Sequence, residues 1–297
     1  MSIEPGVYED IGAAQYFALP YANNSRLSLL KRSPAHLKAD IDAPAMTTDA
    51  QKLGTAAHHA ILEPDVFEQR YTLGGSCSAE LKSGARKGEP CGTTGSVRVG
   101  GDWFCGKHKP DAEPDRIDIL TYEQYRACIG MRDAMQAHPR IRRLLDAEGR
   151  NELTVVWDDA ETGVRCKARI DRLVTDFGGV VLDVKTTQDA RADEFERSVF
   201  HWGYFRQLGF YQDGLTAHGF EMKHLVIAAV EKAAPWAVAG FRLSDAAADA
   251  GREELRVLLR RYAECMEKDE WPAYPADIRE LSLPAWAWGK LEEGVAA

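Results

Sequence analysis

The chain has 297 residues, 45% of them hydrophobic and 28% charged, with a formal net charge of −9. That length supplies a sizeable core, so bulk stability needs neither disulfides nor metals, and the composition excludes a disordered, collagen-like or coiled-coil protein. No apolar run approaches the roughly 18 residues of a membrane span, and the start MSIEPGVYED lacks the basic and apolar stretches of a secretion signal. The expectation is a soluble, cytoplasmic protein with no membrane partner, whose six cysteines are reduced, metal-bound or buried. An acidic balance taken alone disfavours a nucleic-acid partner. It does not exclude one, because metal-assisted phosphate chemistry needs clustered carboxylates and a local basic surface can coexist with an acidic whole.

Residues 1–24 read as irregular. Asn24 or Ser25 then caps a helix carrying Leu27, Leu29 and Leu30, with a break at Ser33-Pro34. Residues 53–62 read as a buried, Ala-rich helix closed by Glu63-Pro64. Residues 74–109 are different material: nine of the chain's 25 glycines fall there and apolar periodicity is lost. The segment reads as an insertion folded by something other than an apolar core. A helical pattern over 121–145 gives way to three strands at 152–157, 164–174 and 180–185, with turns at 158–163 and 175–179. A helix over 193–215, strands at 223–231 and 236–243, and a helix over 244–268 capped by Ser244 follow, before a tail rich in Pro and Trp. This order predicts an α/β fold with a mixed central sheet flanked by helices. Its parts are an N-terminal helical part at 1–73, an insertion at 74–110, and an α/β core with C-terminal helix and tail at 111–297.

The sharpest chemistry lies on the second and third of the three strands. Strand side chains alternate, so Asp183 and Lys185 share one face while Leu182 and Val184 point the other way. A hairpin between the two strands sets Asp171 beside Asp183. Two carboxylates a few ångströms apart repel, and holding both ionised calls for a divalent cation, Mg²⁺ or Mn²⁺ for oxygen ligands. The Lys185 ammonium beside that ion is suited to orienting water or to stabilising charge on a phosphate. Against this stands the plain alternative that Asp-x-Lys is an ordinary charged strand end. Likewise His58 on the small-residue helix, and Gln207 and Tyr211 four apart on one helix face, each have an ordinary packing explanation when taken singly.

Taken in order, Gly54-x-x-x-His58, Asp171, Asp183-x-Lys185 and Gln207-x-x-x-Tyr211 resemble the PD-(D/E)XK nuclease superfamily in its RecB-like branch. SRLSLLKRSPAH at 25–36, LGTAAHHAILEP at 53–64 and WPAYP…LSLPAWA at 271–287 narrow the resemblance to the exonuclease VIII (RecE) type of nuclease domain found in phage recombination systems. The resemblance covers nearly the whole chain apart from 74–109. It implies a Mg²⁺-dependent deoxyribonuclease in which His58, Asp171, Asp183 and the Val184 main-chain carbonyl hold metal. By the same resemblance Lys185 activates water, Gln207 and Tyr211 line the DNA side, and Glu152 is a further acidic position. Spacing from Gly54 selects His58 over His59.

Cys77, Cys91, Cys105 and His108 form a second constellation, with thirteen residues in each Cys–Cys gap and two between Cys105 and His108. Three thiolates and an imidazole suit a structural Zn²⁺, which would offset the ordering entropy of a stretch with little apolar material. The segment from Cys77 to Lys109 carries six Lys/Arg against three acids, so a basic face toward phosphates and a merely solvated loop both remain open. Cys128, Cys166 and Cys265 are expected to be buried or inert.

The expected function is a metal-dependent exodeoxyribonuclease resecting linear duplex DNA. The 5′ to 3′ polarity, an annealing-protein partner, a homo-oligomer and a phage or prophage origin in a bacterial cytoplasm follow from the resemblance alone. Two alternatives stand beside it: a single-strand-specific or CRISPR-adaptation-like nuclease of the same fold, and a non-catalytic, zinc-stabilised DNA-binding adaptor.

Overall fold

The computed structural model describes residues 2–43, 48–113, 115, 117–284, 287, 288 and 291. In chain order the N-terminal elements are β1 (Gly6–Tyr8), α1 (Ala13–Ala18), α2 (Asn24–Leu29), α3 (Pro34–Asp42), α4 (Asp49–Leu62) and α5 (Pro64–Arg70). The short strands β2 (Tyr71–Leu73), β3 (Val97–Val99), β4 (Asp102–Phe104) and β5 (Asp118–Leu120) lead to α6 (Tyr122–Ala137) and α7 (Pro139–Asp146). The core strands are β6 (Gly149–Asp158), β7 (Arg165–Val174) and β8 (Val180–Thr187). Then come α8 (Ala192–Trp202), α9 (Tyr204–Ala217), β9 (His224–Glu231), β10 (Val238–Arg242) and α10 (Asp245–Lys268).

Six strands form one mixed sheet in the order β1-β6-β7-β8-β9-β10. Only β8 and β9 pair in parallel, and α8 and α9 make the crossover between them, as a parallel connection requires. Buried side chains of α2, α3, α8, α9 and α10 pack on one face through Leu153, Val155, Ile170, Leu173 and Val181. Those of α4, α5, α6 and α7 pack on the other through Leu182, Val184, Ala228 and Val230. The result is a helix–sheet–helix sandwich of the expected α/β class.

Several expected elements change in detail, each for a local reason. The N-terminal segment is not irregular: Gly6–Tyr8 adds an edge strand to β6, too short to show a period, and α1 follows. Asn23, not Asn24 or Ser25, caps α2, its side chain accepting the Arg26 N–H at 2.9 Å. The helix expected from 53 starts at Asp49, because Thr48 and Gln51 form a reciprocal capping box. The helix expected over 121–145 is two, since Pro139 cannot continue the first and the His138 ring caps the second at the Ile141 N–H.

The helix expected over 193–215 is likewise broken at Gly203, which adopts the left-handed conformation (φ 70°). A Cβ there would lie 2.1 Å from the Arg206 guanidinium, which is buried and holds Glu254 of α10 and Ser28 of α2. Close approach of α9 to α10 also depends on Gly251, where a Cβ would meet the Phe205 carbonyl oxygen at 2.5 Å. The break and the close crossing together set the face that α9 turns toward β8. In the tail segment 271–287, residues 285 and 286 lie outside the described residues.

Candidate active site and cysteine cluster

The β7–β8 ladder ends at Arg172↔Leu182, one step short of the position where the register sets Asp171 opposite Asp183. The β6–β7 ladder also skips a step there, passing from Asn151↔Arg172 to Leu153↔Ile170 and leaving Glu152 opposite Asp171 unpaired. Glu152 carries φ 51°, a conformation a side-chain-bearing residue seldom adopts. The alternation of both strands inverts at this point. Leu153, Val155 and Trp157 face the α9–α10 layer, yet Asn151 turns to the opposite layer and donates to the Leu62 carbonyl. On β7, Ala168, Ile170 and Leu173 share the α9–α10 layer, whereas Arg172 donates to the Leu144 and Ala147 carbonyls beside α7. The register sets Glu152, Asp171 and Asp183 at one level of the sheet, and the ladder is interrupted there.

α4 brings the fourth group. His58 Nδ1 lies 3.6 Å from Asp171 Oδ2. One ligand atom each from His58, Glu152 and Asp171 lie within 4.8 Å of one another, a spacing that a single cation can bridge. The other Asp171 contact is structural, since Oδ2 accepts the Val184 N–H at 2.7 Å. Asp183 stands beside this trio rather than in it. It is fully buried, Lys185 Nζ sits 2.5 Å from its Oδ2, and neither oxygen accepts an aligned hydrogen bond.

A buried carboxylate oxygen without a partner is costly, so Asp183 Oδ1 beside a His–Glu–Asp trio fits an oxygen-preferring divalent cation. Val184 stays buried in the α4 layer with its amide engaged on Asp171. From α9, Gln207 donates to the Tyr211 hydroxyl at 2.5 Å, and Tyr211 is buried. His59, the neighbour of His58, turns away and hydrogen-bonds the Tyr211-remote Tyr71 hydroxyl at 3.0 Å.

Two residues escaped the sequence reading. Tyr204, three before Gln207 and so on the same helix face, sets its ring 4.9 Å from Lys185 Nζ. Arg169, two before Asp171 on β7, reaches Glu152 Oε2 at 2.5 Å and the Ile11 carbonyl at 2.7 Å. Spacing was the available signal for both.

The electrostatics follow from burial. Desolvation lifts the Asp183 carboxyl to about 6, against the pull of Lys185 and with help from Asp171. Desolvation also raises Asp171, opposed by Lys185, and raises Glu152, with Asp171 adding repulsion. His58 is lowered, first by burial and then by Lys185, which keeps its imidazole neutral and available as a ligand. Burial alone would lower Lys185, but Asp183 and Asp171 outweigh it and the ammonium is held charged.

The second constellation also comes together. Cys77, Cys91, Cys105 and His108 offer four ligand atoms within 4.8 Å of one another. His108 Nδ1 is 3.5 Å from both the Cys77 and the Cys105 sulfur. Tetrahedral ligands at about 2.3 Å (S) and 2.0–2.1 Å (N) from an ion stand about 3.5 Å apart, the distance His108 keeps from Cys77 and Cys105, so the donor set suits a metal. Hydrogen bonding from Thr93 leads the causes that lower the Cys91 thiol to about 6, toward the thiolate a metal requires. The segment is not wholly without packing, for the Trp103 ring fills space that a Cβ at Gly75 would invade at 2.0 Å. Cys128, Cys166 and Cys265 are buried and apart from this cluster.

The mixed sheet, the carboxylate defect and the Asp-x-Lys strand define a PD-(D/E)XK-like nuclease fold. A family model described as "PDDEXK-like domain of unknown function (DUF3799)" matches residues 24–281, and the chain belongs to that family. Among solved structures the chain is similar to one from Eubacterium rectale titled "Putative exonuclease". That match has a TM-score of 0.55 and 12% identity over 93% of this chain and 96% of that one, a likeness of fold. A second structure, titled SSO0001, matches at a TM-score of 0.28 and 16% identity over 46% of this chain and 63% of that one, and carries no argument. No curated protein matches the sequence. Among the described residues no helix is long and apolar enough to cross a membrane.

The raised Asp183 pKa has a measurable consequence for the metal-free protein. A carboxyl whose folded pKa exceeds its unfolded value contributes stability at low pH and loses it as pH rises through the folded pKa. Relative to Asp183→Asn, the wild type without added divalent cation is expected to lose stability between pH 3.8 and about 6. The loss should be on the order of 1–3 kcal/mol, at about 1.4 kcal/mol per pKa unit. Urea unfolding across that range checks it. Added Mn²⁺ should restore the loss above pH 6 in the wild type alone, and parallel pH profiles for the two proteins would contradict the burial argument.

Proposed function

We propose that this chain is a Mg²⁺- or Mn²⁺-dependent exodeoxyribonuclease that degrades linear duplex DNA from its ends. The observation that carries the reading is Asp183, fully buried, ion-paired to Lys185 through Oδ2 and without a hydrogen-bond partner at Oδ1, beside the His58–Glu152–Asp171 trio. In this reading His58, Asp171, Asp183 and the Val184 carbonyl hold the cation, with Glu152 as a further acid. The bound ion supplies charge neutralisation at the phosphate and lowers the pKa of water. Lys185, kept charged by its two carboxylates, stabilises developing negative charge on a phosphate oxygen and orients the attacking water. Gln207 and Tyr211 face the DNA from α9, and Tyr204 restrains the Lys185 ammonium. The resemblance to exonuclease VIII-type domains supports 5′ to 3′ resection that leaves a 5′-phosphate on the released product. It also supports a homo-oligomer, a single-strand annealing partner and a phage or prophage origin in a bacterial cytoplasm.

Labelled linear duplex, circular duplex and single strands incubated with and without Mg²⁺ test this reading. The expected result is loss of the linear duplex alone, only with metal, and a fall of about 10²-fold or more in Lys185→Ala, the scale of a positioned catalytic group. Degradation of circles or single strands instead would point to a different specificity of the same fold. A mobility shift without cleavage would mean an adaptor, and near wild-type cleavage by Lys185→Ala would contradict the site.

For the cysteine cluster the proposal is structural Zn²⁺, within an insertion spanning 74–110 between the helical part at 1–73 and the core at 111–297. The donor set and the 3.5 Å spacing support it. Protein purified without chelators is expected to carry about one zinc per chain, as one four-ligand site requires. Cys91→Ser should release the metal and open residues 77–108 to protease while the α/β core stays folded. Absence of zinc by elemental analysis, or its retention after Cys91→Ser and Cys105→Ser together, would contradict the assignment.

A further inference from the structure

The chain leaves the α4 layer through β2 and returns through β5, paired in parallel from Tyr71↔Asp118 to Leu73↔Leu120 and clamped by Arg70–Asp118 at 2.7 Å. Tyr71 is bonded through its hydroxyl to His59, next in sequence to His58, so the lobe is rooted on the helix that serves the carboxylate site. Within the lobe, main-chain bonds tie the ligand-bearing turns together. Cys77 N–H donates to Thr93 O at 2.7 Å, Cys91 N–H to Ala79 O at 2.8 Å, and His108 N–H to Cys105 O at 3.0 Å.

The charges on this frame are unbalanced. Arg86 and Arg98 pair with Glu89 and Asp115. Lys82, Lys87, Lys107 and Lys109 are exposed and, among the described residues, none pairs with a carboxylate. Lys82 and Lys87 lie in the turn between Cys77 and Cys91, where Gly88 N–H donates to Leu81 O at 2.9 Å. Lys107 and Lys109 flank His108. All four therefore sit within a few residues of a metal ligand, in a 77–109 segment of six Lys/Arg and three acids that is followed by Asp111, Glu113 and Asp115, on a chain of net charge −9.

We infer that this lobe is a second DNA-binding surface, whose four unpaired lysines grip the phosphate backbone of duplex outside the carboxylate site. Phosphate contacts need cations and carry no sequence information, which suits a site that must accept any duplex. A backbone already tied by main-chain hydrogen bonds loses less entropy on binding than a free loop carrying the same cations. The inference rests on the DNA reading above, but its test does not require cleavage.

A variant with Lys82→Gln, Lys87→Gln, Lys107→Gln and Lys109→Gln keeps every cysteine–histidine ligand. It is compared with wild type for binding of a blunt duplex over a salt series without Mg²⁺, zinc content being measured in both. The expected result is affinity at least about tenfold weaker and a log K against log salt slope shallower by about 2–4, as the loss of up to four phosphate contacts requires. The same four positions changed to Arg should restore both. Affinity within threefold of wild type, or a loss that the Arg variant does not restore, overturns the inference. Wild type that binds duplex through these lysines but never cuts it would leave the inference standing and defeat the nuclease reading instead.

Discussion

Where β6, β7 and β8 should continue their hydrogen bonding across Glu152, Asp171 and Asp183, the ladder stops and three carboxylates meet with only Lys185 and Arg169 to balance them. Everything else in the core is arranged around that deficit. The register alone sets these three residues directly opposite one another across the strands, and opposite residues share a face. The positive φ of Glu152 and the inversion of both strands mark where the ladder breaks at that level. Such local strain persists only where the surroundings over-determine it, and here two packed helical layers do so. A buried excess of negative charge is a standing cost to the apoprotein and a standing attraction for a divalent ion.

The two layers contribute differently. α4 carries small residues, Ala56, Ala57 and Ala60, that are fully buried against the sheet and bring His58 to Asp171. α9 arrives from the opposite face, redirected by Gly203 and pressed onto α10 at Gly251. Tyr204, Gln207 and Tyr211 reach Lys185 and its surroundings from one stripe of that helix. Neither layer alone encloses the site. The cysteine lobe grows from the α4 side, so its root and the histidine share one rigid support.

Much of this was legible in the residues. A strand that buries Leu182 and Val184 while offering Asp183 and Lys185 on its other face can be read from alternation, and the α/β order from the change of period. The Cys3His cluster was legible because ligand chemistry survives unusual spacing. The strand inversion was not, because nothing about a glutamate announces a left-handed backbone; only its neighbours in space impose it. For the same reason Glu152 read from sequence as one more acid, whereas its carboxylate stands with His58 and Asp171. The helix breaks fall where Pro139 and Gly203 sit, punctuation that a strong apolar period on both sides concealed. The three-residue strand β1 is below the length at which any period can be seen.

A cation site at the sheet defect, completed by His58, should bind Mn²⁺ in the absence of any substrate. Titration of Mn²⁺ into the Lys185→Ala background, followed by the loss of its free-ion electron paramagnetic resonance signal, tests this without DNA. The expected result is a site weakened about 10-fold or more by His58→Ala, as loss of one ligand commonly does, and left intact by His59→Ala. Equal Mn²⁺ affinity with and without His58 would contradict it.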